Sequence, residues 1–198
     1  MITPRDFLKL VIGTWEGLYS DNSADSGNWV TRPDGTRMLV GTMRGVTAEA
    51  FAEHHGIPAW QVTPDMLKAV TLDESAELGL EDFFEKAHFD FLAWGPATAA
   101  LADFGWGSGM GQAAKSMQRL IGVTADGAVG PITAHAYGNW VQGRGWPAAL
   151  QSVHDMRADF YREVVAVHPE DAQFLQGWLN RDDWASAANA EFWAKFAA

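Results

Sequence analysis

Three polar residues near the amino terminus are of the types that hydrolysis of a glycosidic bond uses. Glu16 lies in Trp15-Glu16-Gly17-Leu18-Tyr19, where an apolar helical pattern gives way to a polar, turn-rich segment. A carboxyl there can face a cleft. Between Trp15 and Tyr19, partial desolvation would disfavour its ionised form and suit it to donate a proton. Asp25 and Thr31 follow within fifteen residues. Glycoside hydrolysis needs one proton donor and one group that positions water or stabilises an oxocarbenium-like transition state. Glu16 would be the donor, and Asp25 with the Thr31 hydroxyl would place the water. The same residues also read as a solvated helix-end glutamate, a turn aspartate and a strand threonine, so spacing alone does not choose.

The elements that must hold these residues follow from periodicity. Thr3 and Pro4 start a helix in which Phe7, Leu8, Val11, Ile12 and Trp15 recur at helical spacing, ending near Glu16. From Asp21 to Gly45, Asn, Ser, Asp and Gly alternate with short apolar pieces joined by Arg32-Pro33-Asp34-Gly35, the pattern of a small β-hairpin. Residues 47–56 and 63–92 return to helix, with Thr47, Thr63 and Thr71 as caps. The glycines of Asp103-Phe104-Gly105-Trp106-Gly107-Ser108-Gly109 predict a turn, followed by a helix carrying Ala113, Ala114, Met117, Leu120 and Ile121. Asp126 to Pro131 forms a turn that launches a helix through Ile132, Ala136 and Trp140. Three further helices are expected, with faces Leu150-Val153-Phe160-Val164, Phe174-Leu175-Trp178 and Trp184-Ala188-Phe192-Phe196.

Composition excludes several classes. The chain has 198 residues, 47% hydrophobic and 20% charged, which places it among folded globular proteins. With 25 acidic against 14 basic residues its net charge is −11, opposite to what a nucleic-acid binder needs. It has no cysteine, hence no disulfide, thiol nucleophile or zinc-thiolate site. His54, His55, His88, His135, His154 and His168 are not spaced as a helical zinc pair, so no metal and no cofactor is expected. No apolar run is long enough for a membrane span and no secretory signal is read at the start, so synthesis in the cytoplasm and no membrane insertion are expected.

Glu16-Gly17-Leu18-Tyr19, Asp25-Ser26-Gly27-Asn28 and Gly45-Val46-Thr47 resemble the Glu-Gly-Gly-Tyr, Asp-Pro-Gly-Gly and Gly-Ile-Thr signatures of glycoside hydrolase family 108. These are phage and bacterial N-acetylmuramidases long labelled secretion-activating proteins. The Glu16, Asp25, Thr31 spacing also resembles the catalytic spacing of the phage lysozymes. In the second half, the 103–109 segment, Met117-Gln118-Arg119-Leu120-Ile121-Gly122-Val123, Asp126 to Thr133, and Gly177-Trp178-Leu179-Asn180-Arg181 resemble the predicted peptidoglycan-binding region that follows the family's catalytic segment. Leu18, Ser26 and Asn28 depart from the signatures, and residues 32–43 look inserted, lengthening the hairpin.

The resemblance implies a mainly α, lysozyme-like helical fold with a small β-hairpin next to the catalytic glutamate. Residues 1–94 would form the catalytic region and residues 95–198 a helical peptidoglycan-binding-like region. The implied activity is cleavage of the β-1,4 bond between N-acetylmuramic acid and N-acetylglucosamine by a monomeric endolysin, released to the periplasm by a holin. The partner is the peptidoglycan glycan strand. Glu16 would be the acid, Asp25 and Thr31 would place water, and Tyr19, Trp29, Trp106 and Ser108 would contact substrate. Trp29 and Trp106 stand out among ten tryptophans because they fall in Gly/Ser/Asn-rich turns with no periodic partner rather than on apolar helical faces. Arg157, within an apolar stripe, is expected to pair with a carboxylate such as Asp103. The rival readings are a non-catalytic peptidoglycan-binding module, a virion or secretion accessory protein, and a lytic transglycosylase.

Overall fold

A computed structural model describes residues 2–194, leaving out the side chains of residues 188, 189, 191 and 192. The described chain divides into two compact units. One is Arg5–Asp82; the other runs from Phe83 onward and takes in the segment before Arg5.

In the first unit, α1 (Pro4–Trp15) buries Phe7, Leu8, Val11 and Ile12, the stripe its spacing predicts. A lobe of two antiparallel hairpins follows, where one was expected. Strand β1 (Trp29–Thr31) pairs with β2 (Arg37–Leu39), setting Trp29 opposite Leu39 and Thr31 opposite Arg37. Strand β3 (Thr42–Met43) pairs with β4 (Val46–Thr47) through a two-residue turn, Arg44-Gly45, both left-handed at φ 51° and 79°. Thr47, Thr63 and Thr71 cap α2 (Ala48–His55), α3 (Pro64–Lys68) and α4 (Leu72–Leu78), accepting from Ala50 N at 3.2 Å, Met66 N at 3.3 Å and Glu74 N at 3.1 Å. A π-helical stretch, Gly79–Glu85, continues α4 and leads out of this unit.

The second unit is built on α5 (Pro96–Ser108), which is buried at every residue from Pro96 to Gly105. An apolar helix hidden all round must be central, and it packs against α6 (Met110–Ile121), α8 (Trp146–Val167) and α9 (Ala172–Ala194). The turn expected over 103–109 is therefore absent: helix continues to Ser108. Its glycines serve close approach, since a Cβ at Gly105 would overlap Sδ of Met110. Helix α7 (Pro131–Arg144) buries Thr133, Tyr137 and Val141 instead of Ile132, Ala136 and Trp140; Ile132 is 81% exposed. Polar partners set that rotation. The Tyr137 and Thr98 hydroxyls lie 2.9 Å apart, and Nε2 of Gln118 donates to Oγ1 of Thr133 at 3.3 Å. The last two expected helices are one, α9. The charged Arg181-Asp182 pair between the two apolar patches is held on buried partners from α5 and α8 and interrupts nothing. Phe196 lies outside the described residues, as do the side chains of Ala188 and Phe192.

Candidate active site

Glu16 follows α1 directly. Its N–H makes the last helical bond, to the Ile12 carbonyl at 3.0 Å, and its side chain is half-buried. The next residue is anchored from the other direction, because the Gly17 carbonyl accepts from Arg44 N at 3.2 Å. Ser75 Oγ donates to the Arg44 carbonyl at 3.0 Å, so α4 holds the left-handed turn that holds Gly17. Three residues on, Ser20 and Thr42 exchange both backbone bonds at 2.8 Å. The glutamate thus stands on backbone fixed on both sides, between a helix end and a hairpin turn.

Tyr19 is half-buried and donates its hydroxyl to the Val40 carbonyl at 2.8 Å, with Lys68 Nζ 4.7 Å from its ring centre. Burial, and then the charges of Asp21 and Asp65, raise the phenol's pKa above its ordinary value, so it is a neutral donor across the physiological range. Its ring lies against Gly41, where φ is 91° and a Cβ would come within 2.7 Å of both the ring and the Ser20 carbonyl. That close approach needs glycine.

Asp25 is exposed and caps the short 3-10 turn Ser26–Asn28, accepting from Gly27 N at 2.9 Å through Oδ1. Trp29 and Thr31 alternate with buried Val30 and so share one face of β1. Thr31 is exposed there. The Trp29 indole N–H donates to the Ser23 carbonyl at 3.0 Å and Arg37 stacks 4.8 Å over the ring, so this residue belongs to a strand and not to a loop. Trp106 and Ser108 fall on α5 in the second unit, also not in a loop: Trp106 packs 5.1 Å from Phe83, and Ser108 Oγ donates to the Phe104 carbonyl at 2.6 Å.

Asn28 is the residue whose importance sequence reading missed. It is fully buried, its Oδ1 accepts from Thr42 Oγ1 at 2.5 Å, its Nδ2 donates to the Asn22 carbonyl at 3.0 Å, and its own carbonyl accepts from Val40 and Gly41 N at 2.8 and 3.0 Å. It ties the Asp25 loop to the strands facing Tyr19. Its replacement of a signature glycine was the available clue, since a buried side-chain amide must find such partners. Among the described residues no group of three or more His, Asp or Glu side chains is arranged to hold a metal ion, and no helix is long and apolar enough to cross a membrane.

Comparison with known proteins bears on the whole chain. The sequence model described as Glycosyl hydrolase 108 matches residues 10–109, half of the chain, and that described as Predicted Peptidoglycan domain matches residues 112–183. Among solved structures the chain is similar in fold to Brucella abortus SagA, with 22% sequence identity, coverage of 96% of this chain and 94% of that one, and a TM-score of 0.68. A search of curated proteins finds no match. With its helical fold, its hairpin lobe beside Glu16 and these two matched segments, the chain belongs to the glycosyl hydrolase 108 family, the peptidoglycan-hydrolysing N-acetylmuramidases.

Proposed function

We propose that Glu16 is the general acid for cleavage of the β-1,4 bond between N-acetylmuramic acid and N-acetylglucosamine, with Asp25 and Thr31 placing the attacking water. The carrying observation is the two-sided anchoring of Glu16, a half-exposed carboxyl on backbone bonded to Ile12 on one side and to Arg44 through Gly17 on the other. As the bond from C1 to the glycosidic oxygen breaks, the Glu16 proton passes to the leaving oxygen. Charge on C1 then draws a water from the opposite face of the ring. Asp25 takes a proton from that water, its Oδ1 steadied by the Gly27 N–H and its Oδ2 serving as base, while Thr31 Oγ orients the water. The product inverts at C1. Tyr19 and Trp29 would line the sugar path, with Trp106 and Ser108 further substrate contacts.

In the cell this chemistry serves host lysis: a monomer, made in the cytoplasm, reaches murein in the periplasm through a holin-type pore and has no business with nucleic acid. Mass spectrometry of fragments released from purified murein tests the reaction. New N-acetylmuramic reducing ends are expected. Anhydro-muramic ends would make the enzyme a lytic transglycosylase instead.

A further inference from the structure

The unit that begins at Phe83 carries a groove of about 490 Å3, with Arg119 and Leu120 of α6 on one wall and Asp155, Met156, Asp159 and Glu163 of α8 on the other. That volume is within the range of ligand pockets. Asp155, Asp159 and Glu163 recur at four-residue spacing, which sets three carboxylates in a row about 12 Å long on one face of α8. Like charges one turn apart repel, and a cation answers only the middle one, where Arg162 Nη1 lies 2.9 Å from Asp159 Oδ1. Asp155 accepts at Oδ1 from the neutral Gln151 amide at 2.9 Å. Among the described residues the Glu163 side chain has no hydrogen bond or ion pair, and neither has the Arg119 guanidinium on the opposite wall. Both signs of charge thus line one groove without neutralising each other. In a chain with 25 acidic and 14 basic residues, a guanidinium left unpaired opposite three carboxylates leaves room for a ligand that presents both signs.

We propose that this groove is a subsite for the stem peptide of murein, a short peptide that carries carboxylates and the free amine of a diamino residue. The amine lies along Asp155 and Glu163, a peptide carboxylate pairs with Arg119, and the methylenes that bear the amine rest on Leu120 and Met156. Four extended residues reach about 13 Å, the length of the carboxylate row. N-acetylated sugars carry no cation, so the row selects the peptide over the glycan strand. All six wall residues fall within residues 112–183, the peptidoglycan-domain segment. The proposal rests on the reading that this region binds peptidoglycan and names which part of the polymer it holds.

Arg119 and Glu163 are exposed helix positions, so Arg119→Gln and Glu163→Gln keep the helices intact. The full chain carrying Glu16→Gln, which spares the polymer, is sedimented with purified murein and with the same murein after its free amines have been acetylated. The two charge substitutions are then added singly and together, with thermal unfolding measured on each chain. On native murein, binding weaker by about threefold is expected for each substitution and by about tenfold for the pair. Acetylation should weaken the parent and erase the effect of Glu163→Gln, while Arg119→Gln still weakens binding to the acetylated polymer. Parent-like binding to native murein by a folded chain with both substitutions overturns the groove while leaving peptidoglycan binding intact. A parent indifferent to acetylation, or a Glu163→Gln loss equal on both polymers, overturns the amine assignment. A Glu16→Gln chain that does not sediment with native murein overturns the binding reading itself, and the subsite with it.

Discussion

Nη2 of Arg157 donates to Oδ2 of Asp103 at 2.7 Å with both side chains wholly buried, joining α8 to the central helix α5. The same guanidinium donates from Nη1 to the Ala100 carbonyl at 3.0 Å and lies 2.9 Å from Oδ1 of Asp182 on α9. Burial alone would lower the arginine's pKa, but Asp103 and Asp182 outweigh it and hold the group charged. For Asp182 burial prevails and raises its pKa, despite the opposing pull of Arg157 and His154. One cation thus ties α5, α8 and α9 together.

Arg157→Met should therefore destabilise the fold by about 3–5 kcal/mol, the range for breaking a buried pair from one side. The deficit should depend on pH. A carboxyl whose folded pKa is raised takes up its proton more readily in the folded state, so its charge weakens the fold increasingly as pH rises through that value. Removing Arg157 leaves burial of Asp182 less opposed, and denaturant titration should find a smaller deficit near about pH 4 than near 7. A deficit identical at both would contradict this account of the cluster.

Asp126 behaves oppositely. Its Oδ1 accepts from Ala128 N at 2.9 Å and Gln118 Nε2 at 2.7 Å, and these bonds lower its pKa. A lowered carboxyl stabilises above its unfolded pKa, about 3.9, and loses that contribution as pH falls through the folded value. The stability difference between wild type and Asp126→Asn should be constant from neutrality to about pH 5 and fade below about 4. A gap that widens in acid would show the bonds do not favour the carboxylate.

Gly41 and Gly35 both have positive φ, 91° and 84°, but only a Cβ at Gly41 meets atoms, Ser20 O and the Tyr19 ring. Gly35→Ala should cost only backbone strain, about 1 kcal/mol, with activity retained. Gly41→Ala should cost more, roughly 2–4 kcal/mol, and lower kcat/KM, because the lobe behind Glu16 must shift. Equal losses of activity in the two variants would sever the link between lobe geometry and catalysis.

Much of this arrangement was legible. The stripe of α1 placed Glu16 at a helix end, three threonines marked their caps, and a lone arginine among Leu150, Val153 and Phe160 required a buried carboxylate, which is Asp103. Local rules failed where tertiary packing reversed their sign. Gly105 reads as a turn former but here lets α5 approach Met110, and Arg181-Asp182, between two apolar faces that read as separate helices, turns inward onto charges within one helix. Ile132 reads as core, yet the hydroxyls of Thr133 and Tyr137 find buried partners and take the inner face of α7. In the site, Asn28 showed in the sequence only as a departure from a signature glycine, because its bonds reach Asn22, Val40, Gly41 and Thr42, contacts that exist only once both hairpins have formed.

Asp25→Asn retains an oxygen to accept from Gly27 N, so the loop should keep its shape while the proposed base is lost. The expected result is a fall in kcat of about 10²–10⁴ with KM little changed. Thr31→Ser should stay within tenfold of wild type and Thr31→Val fall below it, because the role proposed for Thr31 belongs to its hydroxyl. A Thr31→Val enzyme as fast as wild type would remove Thr31 from the mechanism.

The most direct measurement is the rate of muramic reducing-end release from murein by Glu16→Gln beside wild type, with thermal unfolding and murein sedimentation measured on the same preparations. The account predicts a variant that folds and binds like wild type but turns over at least about 10³-fold more slowly, as loss of a general acid demands. Turnover within tenfold of wild type by that folded, bound variant would place the proton donor elsewhere.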